Sequence, residues 1–176
     1  SVTTTDFTTL TEAFLKSSNI SISDNFGWSV SIHGDYAIVG AYYEDSNTLG
    51  IETGAQDSGA AYIFERNGTT GVWSQSQLLK ASNLEISDRF GYSVAINGNY
   101  AIVGSRREAS NSINDQANNS MQNAGAVYVF ERNGSGVWAQ TAYLKSSNVG
   151  ANDYFGWSVA IHGDYAIVGA HYEDSD

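Results

Sequence analysis

Residues 26 to 41 read FGWSVSIHGDYAIVGA, and residues 155 to 170 repeat them with a single change, Ser31 becoming Ala160. A third copy, FGYSVAINGNYAIVGS, fills residues 90 to 105. Phe26, Phe90 and Phe155 therefore stand 64 and then 65 residues apart. A chain with that period folds as a series of supersecondary units, each burying its apolar face against the next. Two further blocks keep the register. GAAYIFERNGTTGVW from Gly59 matches GAVYVFERNGSGVW from Gly125, and LKSSN, LKASN and LKSSN start at Leu15, Leu79 and Leu144, eleven residues before each Phe.

Each unit parses into four short strands. Strand a, 27 to 32, alternates with a period of two: Trp28, Val30 and Ile32 share one face, and Gly27, Ser29 and Ser31 the other. A tight turn at His33-Gly34-Asp35 leads to strand b, 36 to 41, which is rich in β-branched and aromatic residues. Strand c, 60 to 66, ends in Asn67-Gly68, a pair expected to make a tight hairpin because both residues tolerate positive φ. Strand d covers 72 to 80, and the stretch 11 to 16 aligns with it. Four antiparallel strands per unit predict an all-β fold of tandem propeller blades, with the small-residue face of strand a crowded near an axis.

The strands count as d, abcd, abcd, ab, or about 2.75 blades, whereas a propeller closes with about four or more. The chain is therefore expected not to close alone. Its parts are an N-terminal segment with the outer strand of an incomplete blade (1–15), two whole repeats (16–80 and 81–145) and a partial third (146–176). Open strand edges template pairing. Self-association or neighbouring blades are the expected partners, and the threonine-rich start SVTTTDF is a candidate for the vacant edge of another copy.

The recurring Phe-Gly and Gly-Ala pairs, FGWSV…YAIVGA followed by GAAYIF, resemble the FG-GAP repeat of the integrin α-subunit β-propeller and its bacterial relatives. The motif positions are Phe26, Gly27 and Gly40, then Phe90, Gly91 and Gly104, then Phe155, Gly156 and Gly169. The final Pro of the motif name is replaced by Tyr42, Arg106 and His171. The resemblance implies an extracellular or cell-surface protein with a structural or adhesive role, and it puts the b–c and d–a loops on the ligand-binding face. There Tyr42, Tyr43, Glu44, Asp45, Arg106, Arg107 and Tyr172 are candidates for contact with an extracellular protein or glycan. Trp28 and Trp157 on strand a, and Trp73 and Trp138 at the start of strand d, read instead as blade-to-blade packing.

The family's calcium loop, DxDxDG in the a–b hairpin, is missing, because that hairpin is cut to three residues with at most one carboxylate. What recurs is Glu44, Glu108 and Glu173 after strand b, with Asp45 and Asp174 beside two of them, and Asp24 and Asp88 two residues before Phe-Gly. Since the exit of b and the entry of a lie at one end of a blade, these carboxylates could converge on Ca2+, a hard cation needing six to eight oxygen ligands. The alternative is that the aspartates cap turns through local N–H groups.

Composition narrows the function further. With 19 acidic against 8 basic residues the net charge is −11, which repels phosphate backbones and argues against nucleic-acid binding. No apolar run approaches the roughly 20 residues of a spanning helix, so membrane insertion is not expected. There is no Cys for thiolate chemistry. No HExxH, phosphate loop or dinucleotide fingerprint occurs, and His33 and His162 sit at a turn where the middle repeat has Asn97. No catalysis is expected.

Overall fold

The computed structural model describes residues 12–19, 21–47, 51 and 54–174. Ten strands form, grouped in chain order. β1 (Ser29–His33), β2 (Tyr36–Ala41), β3 (Ala60–Arg66) and β4 (Trp73–Leu79) make one antiparallel sheet. β5 (Phe90–Asn97), β6 (Tyr100–Ser105), β7 (Ala126–Arg132) and β8 (Trp138–Leu144) make a second, and β9 (Phe155–His162) pairs with β10 (Tyr165–Ala170) alone. In both complete blades the spatial order equals the chain order, so every connection is a hairpin. No sheet is closed among the described residues. The all-β blade architecture read from the repeat is thus what the chain forms. No helix among the described residues is long and apolar enough to cross a membrane.

The blades stack face to face, and strand a is the layer between them. Val94 and Ile96 of β5 point back at blade 1 and join Ile38 and Ile63 in one buried cluster. Val159 and Ile161 of β9 repeat the move against Ile102 and Val129 of blade 2. The opposite, small-residue face of β1 receives the following blade: Ser29 Oγ accepts the Val94 N–H at 3.0 Å and Ser31 Oγ the Ile96 N–H at 3.2 Å. At the a–b turn, His33 Nδ1 accepts from Gly98 N–H, and Asn97 Oδ1 accepts from Gly163 N–H at 3.2 Å. His and Asn interchange at this turn because either supplies an acceptor there.

Outer strands are stitched too. The Gln77 side-chain amide donates to Trp138 O at 2.6 Å and accepts from Trp138 N–H at 2.9 Å. Trp138, 3 % exposed, packs its ring on Tyr36 of blade 1, as the blade-packing reading requires. Trp28 follows that reading only in part, its ring meeting Tyr92 of blade 2 at 5.7 Å. It is half exposed, because the face it shares with Val30 and Ile32 has no blade against it among the described residues.

Two local expectations are corrected. Neither Asn67 nor Gly68 has positive φ; the left-handed residue of that loop is Gly71, at φ 73°. Asn67 closes the loop through its side chain instead, Oδ1 accepting the N–H groups of Thr69 and Thr70 at 2.9 Å. The outer strand expected at 11 to 16 does not form over 12–16: Leu15 packs on blade 1 with no ladder partner, since a strand d needs a strand c beside it. SVTTTDF lies outside the described residues.

Candidate functional site

The motif glycines work at the joint between blades. Phe90 N–H bonds Ser58 O at 2.8 Å, which starts β5 as a short parallel bridge on Gly59 of the preceding blade. Gly91 then bulges with φ 85°, a left-handed conformation that suits a residue without Cβ. A Cβ on Gly91 would lie 2.0 Å from Ala60 O, one on Gly40 2.0 Å from Gly91 O, and one on Gly59 2.0 Å from Phe90 O. Phe-Gly of one blade therefore seats against both Gly-Ala pairs of the blade before it. The second joint repeats the geometry, with Gly104 facing Gly156 O at 2.2 Å and Gly125 facing Phe155 O at 2.0 Å.

A family description reading FG-GAP repeat matches residues 10–64, 73–130 and 138–176. The chain belongs to the FG-GAP repeat family. Comparison with curated proteins gives no match. The second and third windows start at strand d, at Trp73 and Trp138, and the first two stop within strand c, whereas the sheets group strands a to d. The FG-GAP sequence unit is a permutation of the structural blade.

Beneath each joint lies a buried polar centre. Glu44, fully buried, takes Asn19 Nδ2–H at 2.6 Å on one carboxylate oxygen and the Lys80 ammonium on the other. Lys80 also donates to Gly59 O at 2.8 Å and Ser58 Oγ at 3.3 Å, and Tyr62 Oη–H donates to Asn19 Oδ1 at 2.9 Å. Blade 2 carries the same set: Lys145 Nζ lies 2.8 Å from Glu108, Asn83 donates to Glu108 at 3.1 Å, and Tyr128 donates to Asn83 at 2.7 Å. In blade 3, Asn148 donates to Glu173 at 2.8 Å. Burial pulls Lys145 down from its ordinary value, against the upward pull of Glu108.

These centres revise the expected sites. Glu44 converges with backbone and hydroxyl oxygens on the Lys80 ammonium, and Glu108 holds the Lys145 ammonium. Among the described residues, no three His, Asp or Glu side chains are grouped to hold a metal ion. Glu44 is too deeply buried to meet a partner, and so is Glu108. Asp24 caps a turn, Oδ2 accepting Ser21 N–H at 2.9 Å, and Asp45 Oδ1 takes Asp57 N–H at 2.7 Å. Burial raises Asp24, and burial with the charges of Glu108 and Glu85 pushes Asp88 up to about 8. Glu173 and Asp174 are exposed.

The contact candidates fare differently. Tyr42, although buried at 6 % exposure, begins a continuous row of rings and guanidinium groups across all three blades. Its ring meets Tyr43 at 4.3 Å, Trp28 at 4.9 Å and Tyr92 at 5.3 Å. Tyr92 meets Trp157 at 5.2 Å, which stacks on His171 at 4.4 Å, and His171 meets Tyr172 at 4.4 Å. Arg106 lies 4.3 Å from the Tyr92 ring centre and 4.7 Å from that of Trp157; Arg89 lies 4.6 Å from that of Tyr43. Such cation–π contacts are worth about 0.5–1 kcal/mol each where exposed.

Sequence reasoning named Tyr42, Tyr43, Arg106, Arg107 and Tyr172 but missed Arg89, Tyr92, Tyr154 and His171 as members of this surface. The available signal was positional. The residue before each Phe, the residue after each Phe-Gly, and the first residue after each strand b fall together three times over. The lysine and asparagine of L-K-x-S-N were likewise visible in every copy, without a sequence clue to what they bind.

Proposed function

We propose that this chain is a non-catalytic structural and adhesive module of the extracellular space, whose terminal blades join further FG-GAP blades from neighbouring copies or additional repeats. One observation carries the reading. Positions buried at the internal joints are exposed at both ends: Val94 and Ile96 are 5 % and 4 % exposed, against 67 % and 66 % for Val30 and Ile32. Ile38 and Ile102 are 0 % and 1 % exposed, against 74 % for Ile167. The front face of blade 1 and the rear face of blade 3 are therefore the two halves of one joint. Their pairing is head-to-tail, which builds rings or filaments according to the rotation per step.

Light scattering across a concentration series tests it. Mass is expected to grow with concentration for the unaltered chain and to stay monomeric for Ile32→Lys or Ile167→Glu. An unaltered chain that remains monomeric throughout refutes completion by neighbouring copies. A second reading, a glycan-binding module on the loop face, is favoured by the row of rings and arginines, which offers flat apolar surfaces beside hydrogen-bond donors.

A further inference from the structure

We infer that the arginine row of blade 2 binds a saccharide carrying carboxylate or sulfate groups. This rests on the glycan-binding reading above and adds the charge of the ligand. Five of the eight basic residues have an evident occupation. Lys80 and Lys145 serve buried glutamates, Arg66 pairs with Asp35 at 2.5 Å, Arg132 donates to Tyr36 and Asn99, and Lys16 lies over Phe14. Arg89 and Arg106 lie over rings of the row, but among the described residues no carboxylate pairs with them or with Arg107. Among the described residues none of the three is in a salt bridge or donates a side-chain hydrogen bond, and each has its Nε buried without a partner. A chain with 19 acidic side chains thus keeps three guanidinium groups together and unneutralised.

The three charges act on one another. Burial first, then repulsion from Arg89 and Arg107, holds Arg106 below its ordinary value. Asp88, whose carbonyl accepts Arg107 N–H at 3.2 Å, is buried and pushed up to about 8, so it is largely neutral at pH 7. Asp45 is engaged by Asp57 N–H. An anion docking here meets forked donors suited to carboxylate or sulfate oxygens.

The backbone carries a second, independent observation. The residue before Phe-Gly is left-handed in every copy: Asn25 at φ 56°, Arg89 at φ 61° and Tyr154 at φ 56°. Asn occupies that region readily, while other L-residues cost roughly 1–2 kcal/mol there. Blades 2 and 3 nevertheless place Arg and Tyr, the two side chains that extend the row. Strain retained where a cheaper residue stands in the sister repeat points to a binding role. The ligand is a sugar because the guanidinium groups alternate with ring faces along the row, and a pyranose offers a flat C–H face for the rings beside a charged substituent for the arginines.

Affinity electrophoresis of the whole chain through gels containing polygalacturonate, dextran sulfate or neutral dextran tests this. Retardation is expected in at least one anionic gel and not in dextran, with the two anionic gels separating carboxylate from sulfate. Arg106→Gln and Arg89→Asn are each expected to weaken it by about tenfold. Arg66→Gln, an equal charge change outside the row, leaves it unaltered, and thermal melts confirm that each variant is folded. Arg89→Asn copies Asn25, so it keeps the backbone conformation. Equal retardation by neutral dextran overturns the charge inference while the glycan reading stands. No retardation in any gel overturns both, and capture by polyglutamate in place of the polysaccharides assigns the row to acidic peptides and overturns it too.

Discussion

Ile32 and Ile96 occupy the same position in successive repeats, yet one faces outward at 66 % exposure and the other is 4 % exposed beneath blade 1. Truncating each to alanine measures what one blade contributes to the next. Ile→Ala removes three carbons, worth about 2.4 kcal/mol by transfer at about 0.8 kcal/mol each. The cavity left under blade 1 takes Ile96→Ala into the range of about 2–5 kcal/mol. Ile32 retains only a third of its burial, so Ile32→Ala costs at most about 0.8 kcal/mol in the isolated chain. The gap, about 1 kcal/mol at the least and about 4 kcal/mol at the most, corresponds to roughly tenfold or more in the folding equilibrium and about 0.5 M or more in urea midpoint. Urea titration followed by tryptophan fluorescence, at a dilution where light scattering finds monomer, reads it directly. Midpoints within about 0.3 M of each other would refute the stacking as described. At higher concentration the Ile32→Ala cost rises if the front face of blade 1 is covered by another blade.

Four further predictions concern the joints, loops and buried centres. Gly91→Ala forces a side chain to φ 85° with its Cβ 2.0 Å from Ala60 O, and should uncouple blades 1 and 2. Gly68→Ala, which meets open space, should leave the melting temperature within a degree or two. Lys145→Met strands a buried carboxylate on Glu108 and should cost about 3–5 kcal/mol, most of it regained in the Glu108→Leu/Lys145→Met double variant, as a double-mutant cycle would show. Asp88 has a folded pKa of about 8 against an ordinary 3.8, so its contribution to stability is full below pH 4 and is lost as pH rises through 8. Asp88→Asn should flatten that part of the pH profile and exceed the parent in stability at pH 9; urea midpoints at pH 5 and 9 check it.

The blade order and the joints were legible in the sequence because they rest on period and on glycine. Val30, Val94 and Val159 alternate with small residues in every copy, and a strand lined by Gly and Ser on one face can only lie against a close neighbour. Two things were not legible. Glu44 reads as an exposed loop carboxylate because its partners, Asn19 and Lys80, flank it at long range, and no local pattern announces a charge neutralised from both sides. The turn at Asn67 shows the opposite failure: the dipeptide is a hairpin signal, but the six-residue span to Val72 let the side chain close the loop and moved the positive φ to Gly71. Acidic clusters invited a metal, and a lysine ammonium fills the same coordination role.

That polar centre also sets how such a protein can change its length. Each glutamate takes its asparagine from 25 residues upstream in all three units and its lysine from 36 or 37 residues downstream in the two complete ones. Removing one whole period restores every partnership at the seam, since the next asparagine and lysine arrive in the same register. Removing a stretch that takes the lysine and keeps its glutamate leaves a carboxylate buried without its cation, at a cost of several kcal/mol. Growth and shrinkage of the array are therefore quantised: recombination can add or delete blades, but not parts of them.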